Sequence, residues 1–257
     1  MTAKTWLPLL AAATSGCILD TQTHTDAITI QEPIEGVVAV LGEGDVRVTG
    51  TSIDGAEIFQ QLEWSGRHPD ITVNVSEGIL YIEASCRAVQ MVCRIDHELI
   101  VPEGAWIDVR TGSGHLDLKG SDADIVAITG EGDVSLSSVS GAMLLDTTSG
   151  NITLADVTGN LSLYSGSGDI WGSGLALSTL DAQTGSGDIE AALDAKPDSI
   201  NVVTGSGDVA LQVPQGAYAV DISTGAGDVD VEGITIRDAS MHWISVCLLY
   251  TSDAADD

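Results

Sequence analysis

The sequence predicts an all-β solenoid with about 18–20 residues per coil, on three observations. The first is a repeated corner: Thr111-Gly-Ser-Gly-His-Leu116, Thr129-Gly-Glu-Gly-Asp-Val134, Thr147-Thr-Ser-Gly-Asn-Ile152, Ser165-Gly-Ser-Gly-Asp-Ile170, Thr184-Gly-Ser-Gly-Asp-Ile189, Thr204-Gly-Ser-Gly-Asp-Val209 and Thr224-Gly-Ala-Gly-Asp-Val229. Successive copies start 18, 18, 18, 19, 20 and 20 residues apart, and a fixed short period is the signature of stacked repeats. The second is strict alternation beside each corner, as in Val134 and Leu136, Ile152 and Leu154, or Ile200, Val202 and Thr204. Period two means one face buried and one wet. The third is the glycine content, 29 residues, concentrated where the chain must turn sharply.

Each coil then consists of two strands and two turns, the second break lying at pairs such as Ser140-Gly141 and Thr158-Gly159. No strand is long enough to be stable alone. Stacking coils at about 4.8 Å per rung pairs their backbones and covers their apolar edges, and seven rungs make a rod of about 34 Å. Parity turns the Thr column (Thr111, Thr129, Thr147, Thr184, Thr204, Thr224) inward, where hydroxyls can bond along the stack. It turns an Asp column (Asp133, Asp169, Asp188, Asp208, Asp228) outward, with His115 and Asn151 as departures. An outlying copy of the corner, Leu41-Gly-Glu-Gly-Asp-Val46, sits far upstream.

Carboxylates about 5 Å apart repel unless something intervenes. A row of calcium sites is one reading of the Asp column, since hard oxygen ligands suit Ca²⁺. In the other, each Asp bonds the backbone of its own turn. The calcium-binding solenoid spacing Gly-Gly-x-Gly-x-Asp is not matched, because Asp here directly follows the second Gly. The column therefore reads first as structure.

The two ends differ from this body. Lys4, the apolar run Trp6 to Ala13 and Thr14-Ser15-Gly16-Cys17 read as an export signal over residues 1–17; the run is too short to span a membrane. Thr14-Ser-Gly-Cys17 resembles the lipobox of bacterial lipoproteins, which implies lipid attachment at Cys17. Thr14 stands where that pattern prefers Leu, and Ile18 resembles the outer-membrane sorting pattern. Residues 18–27 read as a polar tether. At the other end, Cys247-Leu-Leu-Tyr-Thr-Ser-Asp-Ala-Ala-Asp-Asp257 resembles a translated sequencing adapter, so residues 239–257 are set apart from the repeats at 111–238. A solenoid normally needs an end cap, which this sequence does not identify.

Residues 28–110 are less regular and read as opening coils of the same solenoid, a separate small β-region being the alternative. Ile71-Thr-Val-Asn-Val75 and Ile79-Leu-Tyr-Ile82 alternate as strands joined at Glu77-Gly78. Cys86 and Cys93 suit a disulfide across a short loop in an exported protein. A metal site is the weaker reading, because His97 alone is near and no zinc spacing appears.

The repeated Thr-Gly-Ser-Gly-Asp-Ile/Val units, Leu80-Tyr-Ile82, and Leu99-Ile-Val-Pro-Glu-Gly104 leading into Thr111 resemble the bacterial putative-adhesin β-solenoid family. The family is a domain of unknown function, and the resemblance covers roughly Ile28 to Ile236. It implies a right-handed β-helix-like fold, often carried on lipoproteins, and an adhesive or envelope role, with no catalytic residues to transfer.

Chemistry elsewhere is sparse. The net charge of -29 repels nucleic acid. Gly-Ser-Gly repeats as a corner and lacks the strand-to-helix turn of a nucleophile elbow. The glycine turns lead into no helix and almost no Lys, so they do not cradle phosphate. His24, His68, His97, His115 and His242 show no metal spacing, and His115 reads as a solvated turn residue. Trp64, Trp106 and Trp171 are candidates for a sugar-binding face. The expected protein is a non-catalytic, lipid-anchored adhesin, spacer or scaffold of the cell envelope, at the outer membrane. Its expected partners are the membrane and envelope or host glycans or proteins, with no cofactor. The alternatives are a β-helix enzyme acting on polysaccharide and a calcium-stiffened rod.

Overall fold

The computed structural model describes residues 21–86, 92–223, 226–236 and 241–248. All its regular elements are strands, joined in one eighteen-stranded sheet. The first part of the chain supplies β1 (Thr21–Ile30), β2 (Gly36–Glu43), β3 (Val46–Thr51), β4 (Ala56–Ser65), β5 (Asp70–Ser76), β6 (Ile79–Ser85) and β7 (Cys93–Pro102). The repeats supply β8 (Trp106–Ser113), β9 (Leu116–Lys119), β10 (Ile125–Glu131), β11 (Val134–Ser149), β12 (Ile152–Ser165), β13 (Ile170–Thr184), β14 (Ile189–Leu193), β15 (Ser199–Thr204), β16 (Val209–Ser223) and β17 (Val229–Ile236). Strand β18 (Trp243–Leu248) follows.

The sheet turns at the glycine corner and so has two faces, each a file of parallel strands. Face one runs β6, β2, β8, β10, the second halves of β11, β12 and β13, then β15, β18 and the second half of β16. Face two runs β7, β3, β9, the first halves of β11, β12 and β13, then β14, the first half of β16, and β17. Thr111, Thr129, Thr147, Ser165, Thr184 and Thr204 fall opposite one another rung by rung. Thr224 lies outside the described residues.

Between the faces, Ile107, Ile125, Met143, Leu161, Leu180 and Ile200 line up from one side. Leu116, Val134, Ile152, Ile170, Ile189 and Val209 line up from the other. All twelve are at most 3% exposed. Burial of such columns at roughly 25 cal/mol per Å² is the main force holding the coils together.

Order in space departs from order in sequence at the first end. The outlying corner stacks directly on the first regular one, with Leu41 opposite Thr111 and Val46 opposite Leu116. Strands β6 and β7 form the rung on its other side. Beyond that rung the sheet is closed by antiparallel strands: β5 on β6, through a hairpin with positive φ at Glu77 and Gly78, β4 on β7, and β1 on β4.

Strand β1 corrects the expectation of a polar tether, since residues 21–27 of the expected 18–27 lie within it. Its side chains are exposed until Ile28, as an edge strand allows, and the pairing of all ten residues with β4 holds it. Residues 1–20, with the expected signal segment and Cys17, lie outside the described residues.

Of residues 239–257, set apart from the repeats in the sequence, 241–248 are described. Trp243–Leu248 alternates, burying Ile244, Val246 and Leu248, and inserts as β18 between β15 and β16. Period-two patterning places these residues in the core whatever their resemblance. Residues 237–240 and 249–257 lie outside the described residues.

At the corner, Gly132 has φ 144°, and a Cβ there would collide with the carbonyl oxygen of Gly114 one rung away. Gly132→Ala should therefore cost at least about 2 kcal/mol in urea unfolding. Gly104→Ala, where no atom lies within 4 Å of the added carbon, should stay within about 0.5 kcal/mol of the parent.

Candidate functional site

The corner positions the side chains with most chemical promise. Asp96 Oδ1 accepts the amide of Asp45 at 2.8 Å, and Asp45 Oδ1 accepts that of His115 at 3.0 Å. His115 Nδ1 then accepts the amide of Asp133 at 3.0 Å. Asp133 Oδ1 accepts Asn151 N at 2.8 Å, and Asn151 Oδ1 accepts Asp169 N at 2.9 Å. Asp169, Asp188 and Asp208 continue the chain to the amides of Asp188, Asp208 and Asp228 at 2.9, 2.8 and 2.8 Å. The column is a ladder between coils, which corrects the expectation that each Asp bonds its own turn. An N–H donated to a carboxylate is stronger than a neutral bond, and it offsets the repulsion down the column.

The inner column is tied the same way. Hydroxyls of Thr129, Thr147, Ser165, Thr184 and Thr204 donate to the carbonyls of Gly114, Gly132, Gly150, Gly168 and Gly187, at 2.9–3.1 Å. These side chains are buried, so the bonds meet a requirement that burial creates. Among the described residues, no three His, Cys, Asp or Glu converge as metal ligands.

A groove of about 600 Å³ opens where the ladder begins, lined by Asp45, Arg47, Phe59, Asp96, Glu98 and Asp117 among others. Arg47 pairs with Asp117 at 3.0 Å. Arg94 bridges Asp45 at 2.6 Å and Asp96 at 2.9 Å. Hydrogen bonds that they donate to Asp117 and Asp96 hold these two guanidinium groups above their ordinary pKa. His97, one residue beyond Asp96, points inward and is buried. Its Nδ1 meets the Ile95 carbonyl at 3.1 Å and its Nε2 has no partner. Burial lowers its pKa to about 4, so the ring stays neutral.

The other expected site residues are dispersed. Cys86 and Cys93 form a disulfide with Cα atoms 5.9 Å apart. Trp64 is buried, not exposed, because β4 caps the core and its inward parity includes that residue. Trp106 covers Gly36, whose position has no room for a Cβ beneath the indole. Trp171 is exposed on face two, while Trp106 is on face one, so no shared aromatic row exists. His24 pairs with Asp26 at 3.0 Å, and His68 packs edge-on against Trp64.

One surface was missed. Val126, Ile128, Leu144 and Tyr164 point outward on three successive rungs of face one, with Leu144 44% and Tyr164 46% exposed. The signal was Ile125-Val126-Ala127-Ile128, an apolar run that ignores the alternation around it.

Three outcomes follow. Asp188→Ala should cost about 1–2 kcal/mol in urea unfolding, while Asp188→Asn, which keeps the acceptor as Asn151 does, should be near neutral. Calcium should leave the thermal midpoint unchanged, since the Oδ1 atoms of Asp133, Asp169, Asp188 and Asp208 are already engaged. For His97, the unfolded chain takes up a proton near pH 6.5 that the folded one refuses until about 4. Its contribution is thus full above about 6.5, falls by up to about 3 kcal/mol as pH drops to 4, and then levels. His97→Leu should flatten stability measured across that window.

Comparison with known proteins adds the family and neighbours in fold. The family described as Toastrack DUF4097 matches residues 43–240. No curated protein matches the chain. A structure described as a putative adhesin from Bacteroides fragilis is 14% identical, covering 88% of this chain and 97% of its own, with TM-score 0.47. A putative adhesin from Parabacteroides distasonis is 13% identical, covering 89% and 98%, with TM-score 0.48. A protein from the same species, described as a putative lipid binding protein, is 16% identical, covering 87% and 96%, with TM-score 0.47.

Proposed function

The chain belongs to the Toastrack DUF4097 family, and from that premise we propose that it is a non-catalytic contact module of the cell envelope, anchored by lipid at Cys17. It winds right-handed, as its family resemblance implies, and presents a sheet face to glycan or protein partners. The observation that carries this reading is the exposed pair Leu144 and Tyr164 beside half-buried Val126 and Ile128, with Asp146 between Ile128 and Tyr164, on a protein of net charge -29. An exposed apolar patch on an otherwise highly charged surface marks a contact site.

The polar groups point the same way. Asp45, Asp133, Asp169, Asp188 and Asp208 are engaged in the ladder. Arg47, Arg94 and Arg110 are each paired with carboxylates. Catalysis on polysaccharide calls instead for a localised acid and base free to meet substrate.

Arrays of envelope and host glycans and proteins, probed with the purified protein, test the reading. Binding should be lost in a Leu144→Asp, Tyr164→Ser double variant that keeps parental stability, and retained in Trp171→Ala. Binding unaffected by the double variant, or cleavage of an acidic polysaccharide by the parent, would overturn it.

A further inference from the structure

We infer that face one is self-complementary and pairs two copies of this chain face to face, with their rods antiparallel. The inference rests on the contact reading of the Leu144 surface and names its partner. Outward from face one, β8 presents Asp108 and Arg110, β10 presents Val126 and Ile128, and β11 presents Leu144 and Asp146, in register. Arg110 and Asp146 thus stand one rung to either side of Ile128, about 10 Å apart. Arg110 holds Asp108 through Nε and Nη2 at 2.8 and 3.1 Å, which leaves Nη1 for a second carboxylate. Asp146 makes no ion pair among the described residues. A partner for this surface must bring a cation over Asp146, an anion beside Arg110 and apolar side chains between them. The same surface offers all three.

A two-fold axis along β10, in the plane between two sheets packed about 10 Å apart, lays β8 of one copy over β11 of the other. Arg110 then meets the second copy's Asp146, twice by symmetry, and Val126 and Ile128 meet their own counterparts. One strand further out, exposed Val40 of β2 falls over exposed Tyr164 of β12. Leu144 lies over Asp108, which keeps its own Arg110. Moving the axis between β10 and β11 puts Ile128 over Asp146, and turning it along the rod puts Leu144 there. Either choice buries a carboxylate without a cation. One like-charge approach remains, Asp124 toward itself, at the rim, where its Oδ1 already accepts the Ala142 amide at 2.9 Å. The seven strands of face one from β6 to β13 make a footprint of about 30 by 20 Å, so roughly 1,200 Å² for the pair, the size of a specific interface.

Sedimentation of the full chain tests the pairing, with Cys17→Ser and Cys247→Ser to exclude association through lipid or through a disulfide between copies. The parent should be a dimer at about 0.15 M salt and dissociate at about 0.01 M, where two chains of net charge -29 repel over a longer range. Asp146→Arg, Arg110→Asp and the Leu144→Asp, Tyr164→Ser double variant should each weaken the dimer at least about tenfold, with urea midpoints showing that they still fold. Mixed one to one, Asp146→Arg and Arg110→Asp should form a heterodimer of near-parental affinity, because each contact again joins opposite charges. A parent that stays monomeric at about 100 μM, or a mixture that associates no better than the separate variants, would overturn the pairing. Both results leave the contact reading standing, since that fails on the array outcome above.

Discussion

One constraint governs this molecule: at the glycine corner each coil must superimpose on its neighbour closely enough for a side-chain acceptor to reach the next coil's amide. The bonds from Asp96 to Asp228 run outside the corner, and the hydroxyl bonds run inside it. Both demand a backbone approach that leaves no room for a Cβ at Gly132. Hydrophobic columns supply most of the stabilisation, but apolar contact is tolerant of a slip. The polar corner is not, so it sets the register that the apolar strands then fill.

The same constraint explains how so acidic a chain remains compact. A column of carboxylates is unfavourable if each is solvated separately. Here six of the nine ladder members, Asp96, Asp45, Asp133, Asp169, Asp188 and Asp208, have their Oδ1 bonded to a neighbouring coil. His115 and Asn151 keep the ladder going with one carboxylate fewer apiece. What remains for function is the outer surface of the two faces. There the departures from alternation are informative, and the run through Val126 and Ile128 leads to the apolar patch.

Much of the architecture was legible because the repeat reports on space directly. Copies of one corner at short intervals specify stacked coils, and parity assigned Thr147 to the core and Asp188 to the surface. The partner of each Asp was not legible, because its own turn and the next coil both offer an amide at the same parity. Nor was the place of Leu41-Gly-Glu-Gly-Asp-Val46, since a rung that is skipped and later returned to leaves no mark on the sequence. Trp64 was misjudged for the same reason: nothing local says that β4 is a lid. The polar run from Thr21 to Asp26 gave no period-two pattern because an edge strand can be wet on both sides. Val126 and Ile128 were visible as an anomaly, but only the register showed Leu144 opposite Val126, with Tyr164 one rung further on beyond Asp146.

Hydrogen exchange at the corner amides tests the superposition most directly. The Asp188 amide should be strongly protected although its side chain is exposed, and Asp169→Ala should release that amide while leaving those of Asn151 and Asp133 protected. Exchange of Asp188 in the parent at the rate of an unstructured chain, or protection untouched by the substitution, would contradict the ladder and the register built on it.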